Sequence, residues 1–426
     1  MDYMSCKAEE YAKKLLFQVK YVFDNSPFYK RKIKNFNSKD FFKYFQIIPF
    51  TGKKEVLEDQ NNYPPFGSNI CVKMDQIRRI HRTSGSTNKP VLILLTEKDI
   101  DTNVKVGAEC FRTAGIKSGD LVMHCLNYNM WAGGYTDHQS LEAAGAAVIP
   151  FGVGNSKLLI DMMQLIKPAA IHCTPSYMAR LEMLLKEEFH TEPQILGLKI
   201  GLFGGESGMQ NPLFRKRIED VWGLKAMNAN YGMSDVLSIF GSECYMQDGL
   251  HFIGGDYLYP ELIDSKTGNI LPIEKDVTGE LVLTNIEKET QPLIRYRTND
   301  VIRIIGCDEC ECGRKDFRFE VIGRSDDMIV VKGLNVFVNS IDRIIGEFLD
   351  VLTDVYQVLI NKVEPIDKMV LNVEIRSHMR SQKEKIIKNI EEAFKHRINI
   401  TPEIVALDEG SLPRTEEKAK KVLKIL

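Results

Sequence analysis

The sequence predicts an α/β protein. Its large N-terminal domain carries parallel and mixed β-sheets, helices and a β-hairpin subdomain, and a small α+β C-terminal domain follows. Three observations predict this. Short apolar runs alternate with amphipathic stretches from Val91 to about Asn230, the pattern of a parallel sheet covered on both faces. From Leu250 the pattern changes to strands separated by glycine turns, which reads as antiparallel hairpins. Past Gly323-Arg324-Ser325-Asp326-Asp327 a shorter mixture of helices and strands begins. The expected domains are residues 1–323, with the hairpin subdomain at about 244–322, and residues 324–426.

Element by element, residues 7–24 have helical periodicity, and Asn25-Ser26-Pro27-Phe28-Tyr29 ends that helix. Pro49 to Leu57 and Tyr63-Pro64-Pro65-Phe66-Gly67 read as turn-rich surface pieces. Thr96-Glu97-Lys98-Asp99 matches a capping pattern for a helix over 97–114. Strands are expected at Leu121–Leu126, Ala146–Pro150, Ala169–Cys173 and Lys199–Phe203, with helices at Ser140–Ala144, Leu158–Ile166 and Pro212–Trp222. In the C-terminal domain, helices are expected at Asn339–Phe348 and Gln382–Phe394, strands at Val355–Ile360 and Met369–Ile375, and a charged tail closes the chain.

Composition narrows the function classes. With 44% hydrophobic and 27% charged residues the chain is ordinary for a soluble globular protein, and a net charge of −2 leaves no electrostatic footprint for nucleic acid or an anionic membrane. The first ten residues carry acidic side chains and no apolar segment, unlike a signal peptide, and no apolar run approaches the roughly 20 residues of a membrane span. Several of the nine cysteines, among them Cys110, Cys125 and Cys173, stand alone in apolar surroundings, as reduced cytoplasmic thiols do. The expectation is a cytoplasmic protein, monomer or homodimer, with no nucleic-acid or membrane partner.

Four loops hold concentrated chemistry. Between two β-prone runs lies Arg82-Thr83-Ser84-Gly85-Ser86-Thr87-Asn88-Lys89-Pro90, rich in hydroxyls and free backbone N–H groups, with one ammonium. Such a loop suits phosphate oxygens, and a solvated hairpin tip has the same composition. It is not a Walker loop, because Pro90 leads into a strand and no helix opens. Gly204-Gly205-Glu206-Ser207-Gly208 lies at a strand's carboxyl end, where open α/β sheets bind ligands, though a plain tight turn reads similarly. In Asn230-Tyr231-Gly232-Met233-Ser234-Asp235 an aromatic ring, a hydroxyl and a carboxylate meet. Tyr296-Arg297-Thr298-Asn299-Asp300 is the fourth.

Together with Gly323 to Asp327 and Leu412-Pro413-Arg414-Thr415-Glu416-Glu417-Lys418, these segments resemble the ordered motif set of adenylate-forming enzymes, in the phenylacetate–CoA ligase branch. The resemblance spans essentially the whole chain. It implies a two-step reaction, in which a carboxylate attacks the α-phosphate of ATP to give an acyl-adenylate and pyrophosphate, and the thiol of coenzyme A then takes the acyl group. Thr83, Ser84, Gly85, Ser86, Thr87 and Lys89 would hold the β- and γ-phosphates. Tyr231 would stack on adenine within Asn230–Ser234, opposite Gly204, Gly205 and Glu206. Asp300 would accept the ribose hydroxyls, Arg324 would reach ribose and phosphate, and Asp235 would face Mg²⁺, a hard cation that prefers carboxylate oxygen. Lys418 resembles the family's mobile catalytic lysine, and Asp326 stands at the hinge on which the C-terminal domain would rotate as a lid. The tail also reads as a solvated face, with Lys420, Lys421 and Lys424 beside Lys418.

Four positions depart from the pattern. Asn88 and Asn299 replace glycines, Asp235 replaces the commoner glutamate, and Glu417 replaces the glycine before the lysine. Asparagine is the residue after glycine most tolerant of positive φ, so Asn88 and Asn299 are expected to keep the backbone course. Asp235 reaches less far and would bind Mg²⁺ through water, and Glu417 can compete for the neighbouring ammonium.

Cys310-Glu311-Cys312-Gly313 resembles a zinc knuckle, with Cys244 and His251 completing a tetrahedral site; some members of the branch carry a structural zinc here. Cys307 is an alternative fourth ligand to His251, and free thiols in a polar loop are the alternative to the site. Asn127 to Tyr135 resembles the family's aryl-acid pocket, in which the glycines, Gly134 among them, leave space between Trp131 and Tyr135; ordinary helix packing is the other reading. The expected function is an ATP- and Mg²⁺-dependent acid–CoA ligase for a small, aryl-type acid. The alternatives are adenylation with another acceptor (a carrier protein, an amine or a deazaflavin cofactor) and a non-catalytic nucleotide-binding relative.

Overall fold

The computed structural model describes residues 3–34, 36–37, 39, 41–83, 90–206, 208–331, 334–360, 369–413 and 422–424. They fall into two compact units, Met1–Met209 with Ile218–Glu320, and Gln210–Arg217 with Val321–Leu426.

In the first unit the α/β alternation builds one side of a twelve-stranded sheet. Strands Leu121–His124, Ala147–Pro150, Ala170–Cys173, Ile200–Gly204 and Lys225–Met233 pair in parallel. Helix Glu97–Thr113 opens on a capping box, Thr96 accepting from the Asp99 N–H while the Asp99 carboxylate accepts from the Thr96 N–H. Helix Ala132–Ala144 ends at Gly145 with φ 104°. It starts eight residues before the expected Ser140, because Gly133 and Gly134 depress helix propensity in its first turn.

Strand Lys225–Met233 is the seam of the sheet. Lys225 to Asn230 run parallel to Ile200–Gly204, whereas Tyr231 and Met233 pair antiparallel with Leu237–Ser242. The hairpin strands that follow continue this same sheet, so the parallel and antiparallel runs of sequence share one hydrogen-bonded surface. The N-terminal helices are bolted to it by polar contacts as well as by apolar packing. The Tyr29 hydroxyl accepts from the Ile294 N–H at 2.7 Å, and Arg295 forks onto Glu261 with both side chains under 5% exposed. Removing one partner of such a buried pair costs about 3–5 kcal/mol. This clamp fixes the chain where it enters strand Tyr296–Gly306, which carries Asp300.

One surface piece turns out helical. Lys53–Asn62 forms a helix that buries Asp59, whose carboxylate takes hydrogen bonds from Arg31 and Ser68. Its low apolar content hid it from periodicity.

The second unit has a four-stranded sheet in the order Glu403–Asp408, Val370–Ile375, Leu352–Ile360, Val422–Lys424. Helices Val338–Gly346 and Lys383–Ile398 contribute Ile341, Ile344, Ile390 and Phe394 to a core with Val358 and Leu371. The expected charged tail ends in a strand, with Val422 opposite Val358 in parallel register; the lysines around Val422-Leu423 obscured it. Among the described residues no helix is long and apolar enough to cross a membrane.

Candidate active site

The best-defined polar pair lies at the seam. The Tyr231 hydroxyl donates to Asp300 Oδ2 at 2.8 Å, and the Tyr231 ring meets Phe240 and Phe319 edge-on at 5.1 and 5.2 Å. Asp300 is positioned by its own turn: Asn299 has φ 62°, and the Asp300 N–H donates to the Thr298 hydroxyl at 3.0 Å. An asparagine in place of glycine therefore adopts the left-handed backbone that the glycine would have supplied. Gly204 packs directly on Asn230, since a Cβ there would lie 2.5 Å from the Asn230 Cβ. Gly205 adopts φ 77°, and Glu206 accepts from the Ser176 N–H at 3.4 Å. Gly232 is required by the backbone of Ser238, which a Cβ would meet at 1.9 Å. Met233 and Ser234 turn the chain back, the Val236 N–H donating to the Met233 carbonyl.

Behind Asn230 is a buried network that gave no signal in the sequence, because its members come from separate strands and a helix. The Asn230 amide donates to Asp137 Oδ2 and approaches His172 Nε2 at 3.5 Å; His172 and His124 share a 2.9 Å contact between their Nδ1 atoms; His124 Nε2 donates to the Gly134 carbonyl at 2.8 Å. A carbonyl only accepts, so His124 carries its proton on Nε2 and His172 donates from Nδ1. Both rings are neutral, burial holding His172 well below its usual pKa and His124 at about 4. Burial also drives the Asp137 carboxyl well above the usual carboxylate range, the Asn230 hydrogen bond opposing only part of that shift. The line of contacts joins the Gly134 turn to the Tyr231 strand.

At the phosphate loop, Thr83 closes the base: its N–H donates to the Val91 carbonyl at 2.9 Å and its hydroxyl accepts from the Val91 N–H at 3.0 Å. Ser84, Gly85, Ser86, Thr87, Asn88 and Lys89 lie outside the described residues, as do Lys418 and Glu417. The Asp235 carboxylate is buried, accepting from the Tyr296 hydroxyl at 3.3 Å with the Lys53 ammonium at 3.6 Å. In the second unit, Arg324 forks onto Asp326 at 2.9 and 2.8 Å.

Trp131 caps the N-terminus of helix Ala132–Ala144 and is tied to Arg82 by a backbone bridge, and Tyr135 is 46% exposed one turn later. Gly134 lets two backbones touch: a Cβ there would lie 2.0 Å from the Asn127 carbonyl oxygen.

Cys244, His251, Cys310 and Cys312 offer four ligand atoms that all lie within 4.8 Å of one another. Cys244 and Cys310 sulfurs are 3.9 Å apart, and Cys312 Sγ is 3.6 Å from His251 Nε2. Ligands about 2.0–2.3 Å from a tetrahedral Zn²⁺ stand about 3.5–3.8 Å apart, so the donor set fits that ion. Cys307 hydrogen-bonds instead to the Ile273 carbonyl at 3.3 Å. Burial raises the Cys244 thiol to about 12; at Cys310 burial acts the same way, but hydrogen bonds from Cys312 and Cys244 together with Arg318 bring the net shift below the usual thiol value. Burial and the cations Arg314 and Arg318 hold His251 at about 4, so its imidazole is neutral, as a ligand must be.

The Asp300 assignment has a discriminating test. If Asp300 holds ribose as well as Tyr231, Asp300→Ala raises the KM for ATP about 10- to 100-fold, the size of a lost hydrogen bond to a charged group, while Tyr231→Phe changes it less than about 5-fold. Equal effects in steady-state kinetics would reduce Asp300 to a support for the tyrosine.

Comparison with known proteins places this geometry. Residues 333–424 match the family model described as the AMP-binding enzyme C-terminal domain. The chain is 31% identical over 423 residues to a phenylacetate-coenzyme A ligase from Aromatoleum evansii, with 96% of this chain and 92% of that protein covered. It is 30% identical over 418 residues to the Escherichia coli K12 protein of the same name, at 96% and 92% coverage. Among solved structures, 2-hydroxyisobutyryl-CoA ligase in the postadenylation state with its acyl-adenylate superposes at a TM-score of 0.87 and 25% identity, over 97% of this chain and 88% of that one. This chain belongs to the adenylate-forming acid–CoA ligases, in the phenylacetate–CoA ligase family.

Proposed function

We propose that the protein activates a small, aryl-type carboxylic acid with ATP, forming an acyl-adenylate and pyrophosphate, and transfers the acyl group to coenzyme A. The observation that carries this reading is identity of about 30% to phenylacetate–CoA ligases over nearly the full length, with the motif series in order. The proposed compartment is the cytoplasm, in keeping with Cys110, Cys125 and Cys173 buried singly in the core.

Each residue has a part set by its chemistry. Tyr231 presents a flat ring to adenine, its hydroxyl held by Asp300 so that the ring plane is fixed. Asp300 keeps oxygen lone pairs for the ribose hydroxyls. Gly204, Gly205 and Glu206 form the opposite edge, and Asn230, braced by Asp137, sets the level of the strand between them. Thr83 to Lys89 take the β- and γ-phosphates, directing binding energy at the leaving pyrophosphate. Arg324 leaves Asp326 to reach the nucleotide, and Lys418 neutralises the α-phosphate and the attacking carboxylate. Trp131 and Tyr135 wall the acyl group. Asp235 would hold Mg²⁺, with Lys53 as the competing cation, and the ion would supply charge neutralisation on the phosphates. Cys244, His251, Cys310 and Cys312 would hold a structural Zn²⁺.

The test is acid-dependent exchange of labelled pyrophosphate into ATP over a panel of aryl and short-chain acids, followed by addition of coenzyme A. Exchange with at least one acid, and thioester formation on adding coenzyme A, are expected. Exchange without thioester would point to a carrier protein or amine as acceptor, and no exchange with any acid would leave a non-catalytic nucleotide binder.

A further inference from the structure

Buried polar atoms in folded proteins almost always have a hydrogen-bond partner. Among the described residues, eight buried side-chain nitrogen or oxygen atoms have none, and five of the eight lie on strand Arg79–Arg82 and helix Ala132–Ala144. They are Arg79 Nη1, His81 Nε2, Thr136 Oγ1, Asp137 Oδ1 and Gln139 Oε1. An unpaired donor and an unpaired acceptor on one strand, with Arg79 over the Tyr135 ring, call for a ligand group.

Two of these atoms are chemically complementary. The Arg79 guanidinium lies 4.5 Å over the Tyr135 ring, and no carboxylate among the described residues pairs with it. His81 is 3% exposed, and its Nδ1 is 3.2 Å from the Met130 carbonyl, which can only accept. The proton is therefore on Nδ1, and Nε2 presents a bare lone pair. Residues 79 and 81 alternate on the strand and so share a face. Burial and the nearby Arg79 charge keep His81 neutral.

We propose that Arg79 and His81 form the polar end of the acyl pocket and select an acid that carries a hydroxyl group. The hydroxyl oxygen accepts from the Arg79 N–H while its own hydrogen goes to His81 Nε2, so one group satisfies both. An unsubstituted ring or alkyl chain leaves both atoms unpaired. A second carboxylate has no proton for Nε2. The inference rests on reading Tyr135 as a wall of the acyl pocket.

The experiment is pyrophosphate exchange with matched acids: benzoic, phenylacetic and short aliphatic acids, each beside its hydroxylated and its dicarboxylic counterpart. The best hydroxylated acid is expected to exceed its parent at least about tenfold in kcat/KM, the size of one hydrogen bond to a charged group. In Arg79→Met that ratio falls toward one, chiefly through KM, and Arg79→Lys, which keeps a cationic donor, recovers part of it. Preference for unsubstituted or dicarboxylic acids, or equal losses on both members of a pair in Arg79→Met, overturns the proposal and leaves adenylation standing. Absence of exchange with every acid removes the adenylation reading, and this one with it.

Discussion

Lys418→Ala is expected to abolish acid-dependent pyrophosphate exchange while ATP affinity stays within about threefold. Adenylation brings a carboxylate against the α-phosphate, and two unit charges about 4 Å apart repel by about 4 kcal/mol at an effective dielectric near 20. A cation held at that point offsets the repulsion in the transition state; removing one such preorganised group typically costs about 100- to 1,000-fold in rate. In the proposed function, binding of the nucleotide before attack would depend instead on Thr83 to Lys89, Tyr231 and Asp300. The neighbouring lysines provide the control. If the tail is only a solvated charged face, Lys418→Ala and Lys420→Ala give the same small effect; if Lys418 is the reacting cation, only Lys418→Ala loses exchange. The half-reactions separate the role further. Supplied with preformed acyl-adenylate and coenzyme A, the Lys418→Ala protein is expected to form thioester, because the role proposed for that lysine ends with adenylation. Wild-type exchange in the variant would remove Lys418 from the mechanism.

What the sequence made legible follows the range of the forces involved. Motifs whose chemistry is local were readable: the capping box spans the four residues Thr96 to Asp99, and Asn299 takes the left-handed backbone that its place before Asp300 demands. The Cys310-x-Cys312 knuckle was readable too, because its spacing is fixed by one turn. Contacts set by the sheet were not. Asp137 and the two histidines come from a helix and two different strands, and each taken alone is an ordinary polar residue. Their relation to Asn230 appears only once the parallel strands stand in register. Gly134 shows a second contact that the sequence hides. A glycine in a pocket-like motif reads as space, but the fold uses its missing side chain for the approach of Asn127. Strand Val422–Lys424 was hidden for a third reason, since a three-residue strand among lysines has too few positions to reveal a period.

Removal of zinc is expected to weaken ATP binding as well as stability, and the reason is geometric. His251 stands opposite Arg318 in the antiparallel pairing of strands Leu250–Phe252 and Arg318–Arg324, and the next pair is Leu250 with Phe319. Phe319 is one of the two rings against Tyr231, so a metal that fixes the knuckle would also fix the wall behind the ring proposed to stack on adenine. Cys310→Ser, or stripping with a strong chelator, should lower the melting temperature by more than about 5 °C, the effect of a few kcal/mol in a unit of this size, and raise the KM for ATP severalfold. The pH dependence follows from the ligands. With its pKa held at about 4, His251 is already neutral near pH 7 and releases no proton when metal binds. The three thiols must ionise, so uptake of one Zn²⁺ should release about two to three protons, strengthening as pH rises and failing as it falls. Calorimetry in two buffers of different ionisation enthalpy counts those protons. Zinc well below one equivalent in protein purified without chelator would reject the site. A stripped protein with unchanged melting temperature and unchanged KM for ATP would show that the knuckle supports neither the fold nor the nucleotide.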